Sequence, residues 1–309
     1  MVNCIKRILL TASAVISLAL LASCGSKDEY VVISGFAQGG TYTVKFNLNG
    51  REGRVKPPVE EIRDSIDAIL LNIDRSLSGY NKGSLLSRLN AGESIVPDKI
   101  FRDMYSKSYG LYEDTEGAVD VAAGPLFDIW GFGFSKGEFP SDERIREVKS
   151  VSGMGRLIKN PYMAVGQDGT MSASSLVVDE GGSPKLNFNA IAQGYSCDVV
   201  ARYLYSIGVK DMMVDIGEIF CDGLNPSGKP WTIGIDRPVD GNNTLGADLQ
   251  GVFRIPSGAY GVVTSGNYRK YYVKDGKKYS HSIDPRTGCP VNHSLLSATI
   301  VAADALTAD

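Results

Sequence analysis

The apolar positions of this chain change period along its length, and each change predicts an element. Two early runs, Tyr30–Gly35 and Thr41–Leu48, read as strands around the small-residue turn Gln38-Gly39-Gly40. After Pro57-Pro58 the spacing switches to three and four. Val59, Ile62, Ile66, Ile69, Ile73 and Leu77 then fall on one stripe, an amphipathic helix that stops before Ser78-Gly79. A second helix is expected near Asp98–Tyr112, with Phe101, Tyr105 and Tyr112 facing inward. Met163–Ser172 predicts a hairpin around Asp168-Gly169. Leu186–Phe188 predicts a short strand leading into a helix over Ala190–Ile207, with Gly208 as its C-terminal cap. Asp211–Ile216, Trp231–Ile235, Val252–Ile255, Tyr260–Thr264 and Leu296–Val301 predict further strands. Arg269–Val273 and Lys277–Ser280 predict a hairpin whose Asp275-Gly276 turn supplies the positive φ angles a tight connection needs. The charged stretch Lys136–Lys149 predicts a solvated helical insertion. Strands in hairpins, interrupted by helices, argue for an α+β fold with mixed or antiparallel sheets rather than a doubly wound one.

The N-terminus has a different character. Lys6 and Arg7 form a basic start, and Ile8 to Leu21 is an apolar run too short to span a bilayer comfortably. Leu21-Ala22-Ser23-Cys24 then resembles a bacterial lipobox; the alternative is an ordinary signal peptide with a chance cysteine. The expectation is a lipoprotein signal over residues 1–23, a lipidated Cys24 with a polar tether over 24–33, and one large domain over 34–309. Two or three acyl chains on one cysteine anchor stably, since each buried methylene contributes about 0.8 kcal/mol. That implies a lipid-anchored protein of the bacterial cell envelope, periplasm-facing or on the outer membrane. A net charge of -3 gives no nucleic-acid signature. Beyond Cys4 and Cys24 the cysteines are Cys197, Cys221 and Cys289. No CxxC or Cys/His spacing suggests zinc, and all three read as buried or incidental.

Polar chemistry concentrates in four places. Thr264 to Gly288 is the densest, holding Thr264, Ser265, Tyr268, Arg269, His281, Asp284, Arg286 and Thr287. It reads either as a functional hairpin or as a solvated one with a polar tip. At Leu186–Tyr195 a helix start offers free N–H groups and a positive dipole end, a natural seat for phosphate. Gly194 leaves room there for a ligand, and the alternative is a helix simply capped by Asn189. Gly117–Leu126 is a run of small residues that lets backbone approach a flat ring system. Asp120 within it is hard to explain by packing, whereas Phe127 and Trp130 beyond it read as core. Tyr80 reads as a ring-stacking residue or as plain surface. Asp304 and Asp309 follow a hydrophobic strand at an opening helical turn, where acids are favoured in any case. Such oxygen ligands suit Mg²⁺, which keeps waters and takes one or two carboxylates plus substrate phosphates.

Taken together the blocks VDVAAGPLFDIWGFG, NAIAQGY..D, GLNPSGKPWTIGID and TSGNYRKYY...SHSIDPRTGCPV...AD resemble the ApbE family, the FAD:protein FMN transferases, from about Ser34 to Asp309. The resemblance implies cleavage of the FAD pyrophosphate. The FMN half passes to a threonine hydroxyl of an exported redox protein, AMP leaves, and Mg²⁺ assists. Carried over by motif, Gln38, Tyr80, Ala118, Val119, Asp120, Asn187, Gln193, His281 and Ser282 line the FAD site, and the Ala190 carbonyl and Asp309 hold the metal. The acceptor hydroxyl must lose a proton, and Asp309 is favoured over His281 as its base. Asn187 stands where many members carry Asp, and Gln193 where many carry Lys. Asp215-Ile216-Gly217-Glu218 is one residue shorter than the usual double-glycine version. The family also uses a threonine four residues beyond the metal aspartate; the sequence stops at Asp309, so a chain cut short at its C-terminus is expected. Two other outcomes share these residues: an FAD pyrophosphatase giving FMN and AMP, and a non-enzymatic FAD-binding lipoprotein.

Overall fold

Six antiparallel strands make the frame of the molecule, a computed structural model that describes residues 28–134, 139–178, 185–239, 242, 244, 246–256, 258–267 and 271–309. The signal segment and Cys24 lie outside the described residues, as do Tyr268 and Arg269. The first hairpin pairs β1 (Tyr30–Ala37) with β2 (Gly40–Asn47). Its two-residue turn puts Gln38 at φ 52° and Gly39 at φ 80°, the left-handed geometry that matches strand twist. Helix α1 (Val59–Leu77) follows, with Glu60 and Glu61 in its first turn and Arg75 in its last, each complementing the helix dipole. Helix α2 (Lys99–Asp114) is capped by Asp98, which accepts from the Phe101 N–H at 2.7 Å. Helix α3 (Gly124–Ile129) and helix α4 (Ala192–Ser206) come next. The sheet resumes with β3 (Met212–Asp215), β4 (Ile219–Asp222) and β5 (Tyr260–Gly266). A separate hairpin joins β6 (Tyr271–Lys274) to β7 (Lys277–Ser280) through Asp275 and Gly276, both at positive φ. Strand β8 (Ser297–Ala302) and the single-turn helix α5 (Ala305–Ala308) close the chain order. The main sheet runs β1-β2-β3-β4-β5-β8, every pair antiparallel. The class is α+β.

The two largest apolar cores among the described residues meet end to end. One lies under the sheet: Ile33, Val44, Phe46, Ile62, Ile66, Leu70, Val200 and Leu204. The other is helical: Ile73, Leu77, Phe101, Tyr105, Phe188, Ile191 and Tyr195. Helices α1 and α4 each run through both, so their stripes split between a sheet partner and a helical one. Helix α5 straddles the same junction, with Ala305 in the first core and Leu306 in the second.

Four expectations give way. Leu186–Phe188 is not a strand, because the Asn90 side chain brackets Leu186, accepting from its N–H at 2.9 Å and donating to its carbonyl at 2.8 Å. Helix α4 starts at Ala192 rather than Ala190, after a turn over 189–191, and Ile191 rather than Asn189 is its N-cap, with no side-chain cap. Met163–Ser172 is not a hairpin: Asn160 and Pro161 open a one-turn helix over Pro161–Ala164, and Met171 pairs instead with distant Ile95. The charged insertion is not fully solvated. Its helix (Asp142–Ser150) buries Ile145 and Val148, the latter packed with Ala123, Leu126 and Ile283. Strand β4 was not expected at all, yet it sits centrally between β3 and β5.

Candidate functional site at a helix start

The first turn of α4 is where the chain gathers several partly buried acids. Asp309, just past α5, accepts from the Gly194 N–H at 2.9 Å. That contact requires glycine, since a Cβ on Gly194 would stand 2.3 Å from the Ala305 carbonyl oxygen. Burial pushes the Asp309 carboxyl up to about 7, against the opposing Gly194 hydrogen bond. The β3–β4 turn lies alongside. Gly217, at φ 85°, donates to Asp215 at 3.1 Å, and a Cβ there would meet the Gln193 amide nitrogen at 2.5 Å. The three-residue connection between β3 and β4 is therefore a tight turn pressed on Gln193. Glu218 in that turn is raised to about 8, by burial first and then by the charges of Asp309 and Asp215.

Gln38 reaches the same helix from the β1–β2 turn. Its amide nitrogen donates to the Ser196 hydroxyl, which donates in turn to the Ala192 carbonyl at 2.7 Å. The Gln38 carbonyl oxygen is buried without a hydrogen-bond partner. On the other side, Asn187 accepts from the Asn189 N–H at 3.0 Å, and Asn189 donates to the Tyr80 hydroxyl at 3.2 Å. Tyr80 is 69% exposed, with its ring edge-on to Phe134 at 5.2 Å. Gln38, Tyr80, Asn187, Gln193 and Asp309 thus all border one helix start, with the exposed Ala190 in the turn before it.

The small-residue run behaves differently from its expected role. Asp120 is a structural cap: it accepts from the Ala122 N–H at 2.8 Å and from the Met154 N–H at 3.0 Å. Its carboxyl is raised by burial against those bonds. Glycine at 124 admits backbone rather than a ring, since a Cβ would lie 3.0 Å from the Lys185 carbonyl oxygen. The Val121 carbonyl accepts from Asn187 at 2.7 Å, so the run abuts the helix-start cluster. Ala118 and Val119 follow a left-handed pair, Glu116 and Gly117, and both N–H groups bond back to Thr115.

His281 and Ser282 belong to a second group. The His281 ring stands 6.4 Å from Phe132, which stacks on Tyr272 at 4.7 Å. The Ser282 carbonyl accepts from the Val291 N–H at 2.9 Å. Segment 117–134 joins the two groups, touching Asn187 at one end and His281 at the other. Asp284 and Arg286 turn out to serve their own turn. Asp284 accepts from the Arg286 N–H at 2.9 Å and its guanidinium at 3.0 Å, which holds its carboxyl below the usual range. Sequence reasoning missed Ser196, Asp198 and Glu218. Of these, Asp198 had a visible signal, as the last residue of the block NAIAQGY..D.

Among the described residues no group of three His, Cys, Asp or Glu side chains could hold a metal. Nor does any backbone N–H among them donate to the Ala190 carbonyl. One carboxylate and one open carbonyl are hard oxygen donors, which suits a cation that completes its shell with water and phosphate rather than a protein cage. Cys197 and Cys221 are buried free thiols and Cys289 is partly buried, the first two raised by burial, Cys221 to about 12.

Fold and site together describe an α+β protein with a protonatable acid seated on the first turn of a helix. A model of the ApbE family matches residues 39–309, and the chain belongs to that family. The FAD:protein FMN transferase of Vibrio cholerae is 35% identical over 304 residues, covering 96% of this chain and 84% of that one. The FAD:protein FMN transferase of Haemophilus influenzae is 32% identical over 307 residues, with shares of 96% and 84%. The apo crystal structure of Pseudomonas stutzeri flavinyl transferase ApbE superposes with a TM-score of 0.73 at 32% identity, over 91% of this chain and 82% of that one.

Proposed function

We propose that this enzyme transfers the FMN moiety of FAD to a threonine hydroxyl of another, exported protein, with Mg²⁺ at the start of α4. Flavin transfer follows from the family and from relatives that carry that activity in their names. The observation that carries the site is the Asp309 carboxylate on the Gly194 N–H, which puts an acid at the positive end of a 15-residue helix. The acceptor oxygen attacks the phosphorus of the FMN half. The pyrophosphate bond to AMP breaks, AMP leaves with the bridging oxygen, and the acceptor proton passes to a base. Phosphoryl transfer asks the protein for positioning and charge stabilisation more than for covalent chemistry. Asp309, beside the metal, is favoured as that base, and His281 is the other candidate. Mg²⁺, held by Asp309 and the Ala190 carbonyl, would neutralise charge developing on the pyrophosphate. The unpartnered Gln38 oxygen would accept an N–H from the ligand, such as the flavin imide or the adenine amine. Tyr80 offers a ring face, and Asn187 and Gln193 offer neutral amides where charge is common in the family. Ala118, Val119 and Ser282 contribute backbone, and Asp120 shapes the wall they stand on.

The lipobox makes Cys24 the lipid-anchored end of an envelope protein. Among the described residues no helix is long and apolar enough to cross a membrane. Incubation with FAD, Mg²⁺ and a threonine-bearing acceptor should yield a covalently fluorescent acceptor and one AMP per flavin. AMP release without acceptor at a rival rate would favour the pyrophosphatase, and FAD binding without turnover in any divalent ion would favour the binding protein. Fatty-acid labelling lost in Cys24→Ala tests the anchor.

A further inference from the structure

Asp198 lies on α4, one turn beyond Gly194, and is only 7% exposed. A carboxylate taken so far from water is costly unless hydrogen bonds compensate. Here they do. One oxygen accepts from the Ala305 N–H at 2.8 Å and the other from the Leu306 N–H at 3.0 Å. Those are the first two N–H groups of α5, which have no partner within their own helix. In the opposite direction, Asp309 at the far end of α5 gives its carboxylate to the Gly194 N–H in the first turn of α4. Each helix thus supplies an acid to the open amides of the other.

Two glycines let this lacing close. A Cβ on Gly194 would stand 2.3 Å from the Ala305 carbonyl oxygen, and one on Gly261 would stand 2.4 Å from the Ala305 Cα. Backbone therefore meets backbone on both sides of α5, between α4 and β5. Asp304 caps α5 locally, accepting from the Thr307 N–H at 2.7 Å, which fixes the shape of the turn but not its place. Its place is set from α4.

We propose that Asp198 is a positioning residue for Asp309: its carboxylate, acting through the Ala305 and Leu306 amides, sets where Asp309 stands against the start of α4. Its consequence for transfer rests on the proposed role of Asp309; the positioning itself does not. The test is amide hydrogen exchange on the full chain without ligand, followed by Mg²⁺ titration with FAD and acceptor. In the unsubstituted protein the amides of Gly194, Ala305 and Leu306 should exchange as one slow unit. Asp198→Asn keeps the shape but turns one acceptor into a donor facing an N–H. It should speed exchange at all three amides together, leaving α1 unchanged. It should also raise the Mg²⁺ concentration for half-maximal transfer by roughly 10–100-fold, the range for outer partners of metal ligands. The KM for FAD should hold within about two-fold while kcat falls, a split that general loosening would not produce. Faster exchange at Ala305 and Leu306 with Gly194 unmoved overturns the proposal. Should Asp198→Asn fail to fold, the unsubstituted protein decides, because a Gly194 amide exchanging out of step with the other two also overturns it. If the three amides respond together but Mg²⁺ has no effect on any form, the positioning stands and the metal role of Asp309 is what fails.

Discussion

The start of α4 and the aromatic hairpin flank the same segment, 117–134, but they hold their shapes by opposite means. At the helix start the fastenings are carboxylates on backbone N–H groups: Asp309 on Gly194, and Asp198 on Ala305 and Leu306. Around β6 and β7 they are ring contacts. Trp130 stacks on Tyr279 at 5.9 Å, Phe132 stacks on Tyr272, and lysines lie over the rings, Lys274 at 4.2 Å from Phe139 and Lys277 at 5.2 Å from Tyr279. Removing one member of the first kind strands a buried donor or acid, which costs more than the bond contributed. Removing one member of the second exposes a little apolar surface to water that already reaches it. The first region should therefore fail abruptly and the second by degrees.

The largest effect should come from Asp309→Ala. It removes a proposed metal ligand and base together, and should lower transfer beyond the roughly 10–100-fold typical of losing an outer partner. Measuring kcat and Mg²⁺ dependence on an acceptor protein checks it, and a loss no greater than that of His281→Ala would move the base to the aromatic side. Next comes Gly194→Ala. The new Cβ must push on the Ala305 carbonyl, backbone that cannot swing aside. Overpacking of this kind costs about 1–3 kcal/mol, readable as a drop in the urea midpoint.

These contrasts also explain what the sequence disclosed. Stripe, alternation and turn glycines made α1, the β1–β2 hairpin and the β6–β7 hairpin legible, because each is written within a few neighbouring residues. Asp309 and the helix start stood out locally for the same reason. Asp198 was visible only as the last residue of a block; its role was not, since its partners are 107 and 108 residues away. Leu186 was misjudged as strand because the side chain that replaces its strand partner, Asn90, is 96 residues distant. Strand β4 is short, opens after Gly217-Glu218 and ends on Asp222, so its local pattern reads as turn. Its place comes from pairing on both edges. Asp120, expected at the FAD site, also caps a turn and fastens Met154, which no local pattern announces. Asp284, Arg286 and Thr287, three of the eight polar residues before Gly288, form turn architecture around Asp284.

A pH scan sharpens the comparison further. Burial raises Asp309 to about 7 and Glu218 to about 8. In the unfolded chain both would release their protons near pH 4. The folded protein therefore binds more protons between those limits, and stability falls as pH rises. The contribution is full below the unfolded pKa and lost as pH climbs through 7 and 8. Thermal melts without divalent ion should show Tm declining from pH 5 to 8.5, with a shallower decline in Asp309→Asn. A Tm that climbs over that window would contradict the burial of these acids.

Tyr80→Ala probes the border between the two regions, since its ring meets Phe134 while its hydroxyl meets Asn189. A ring contact with ligand contributes about 0.5–1.5 kcal/mol, so the KM for FAD should rise by roughly 2–12-fold. Tm should hardly move, because the side chain is largely exposed in the free protein.

The smallest effects belong to the hairpin lysines. Lys274 lies over Phe139 and Lys277 over Tyr279, on exposed strands. Contacts of this kind at exposed sites contribute about 0.5–1 kcal/mol each. Lys274→Ala and Lys277→Ala should each lower stability by no more than that. They pair across the hairpin and the rings beneath them meet at 4.9 Å, so the double variant should miss the sum by about 0.5 kcal/mol. The helix start should miss it by more. Asp198→Asn and Asp309→Asn loosen one interlaced pair of helices, and once the first has freed α5 the second has little left to undo. Denaturant titration of both double variants measures the contrast directly, and additivity at Asp198 and Asp309 would mean that the two carboxylates hold α5 independently.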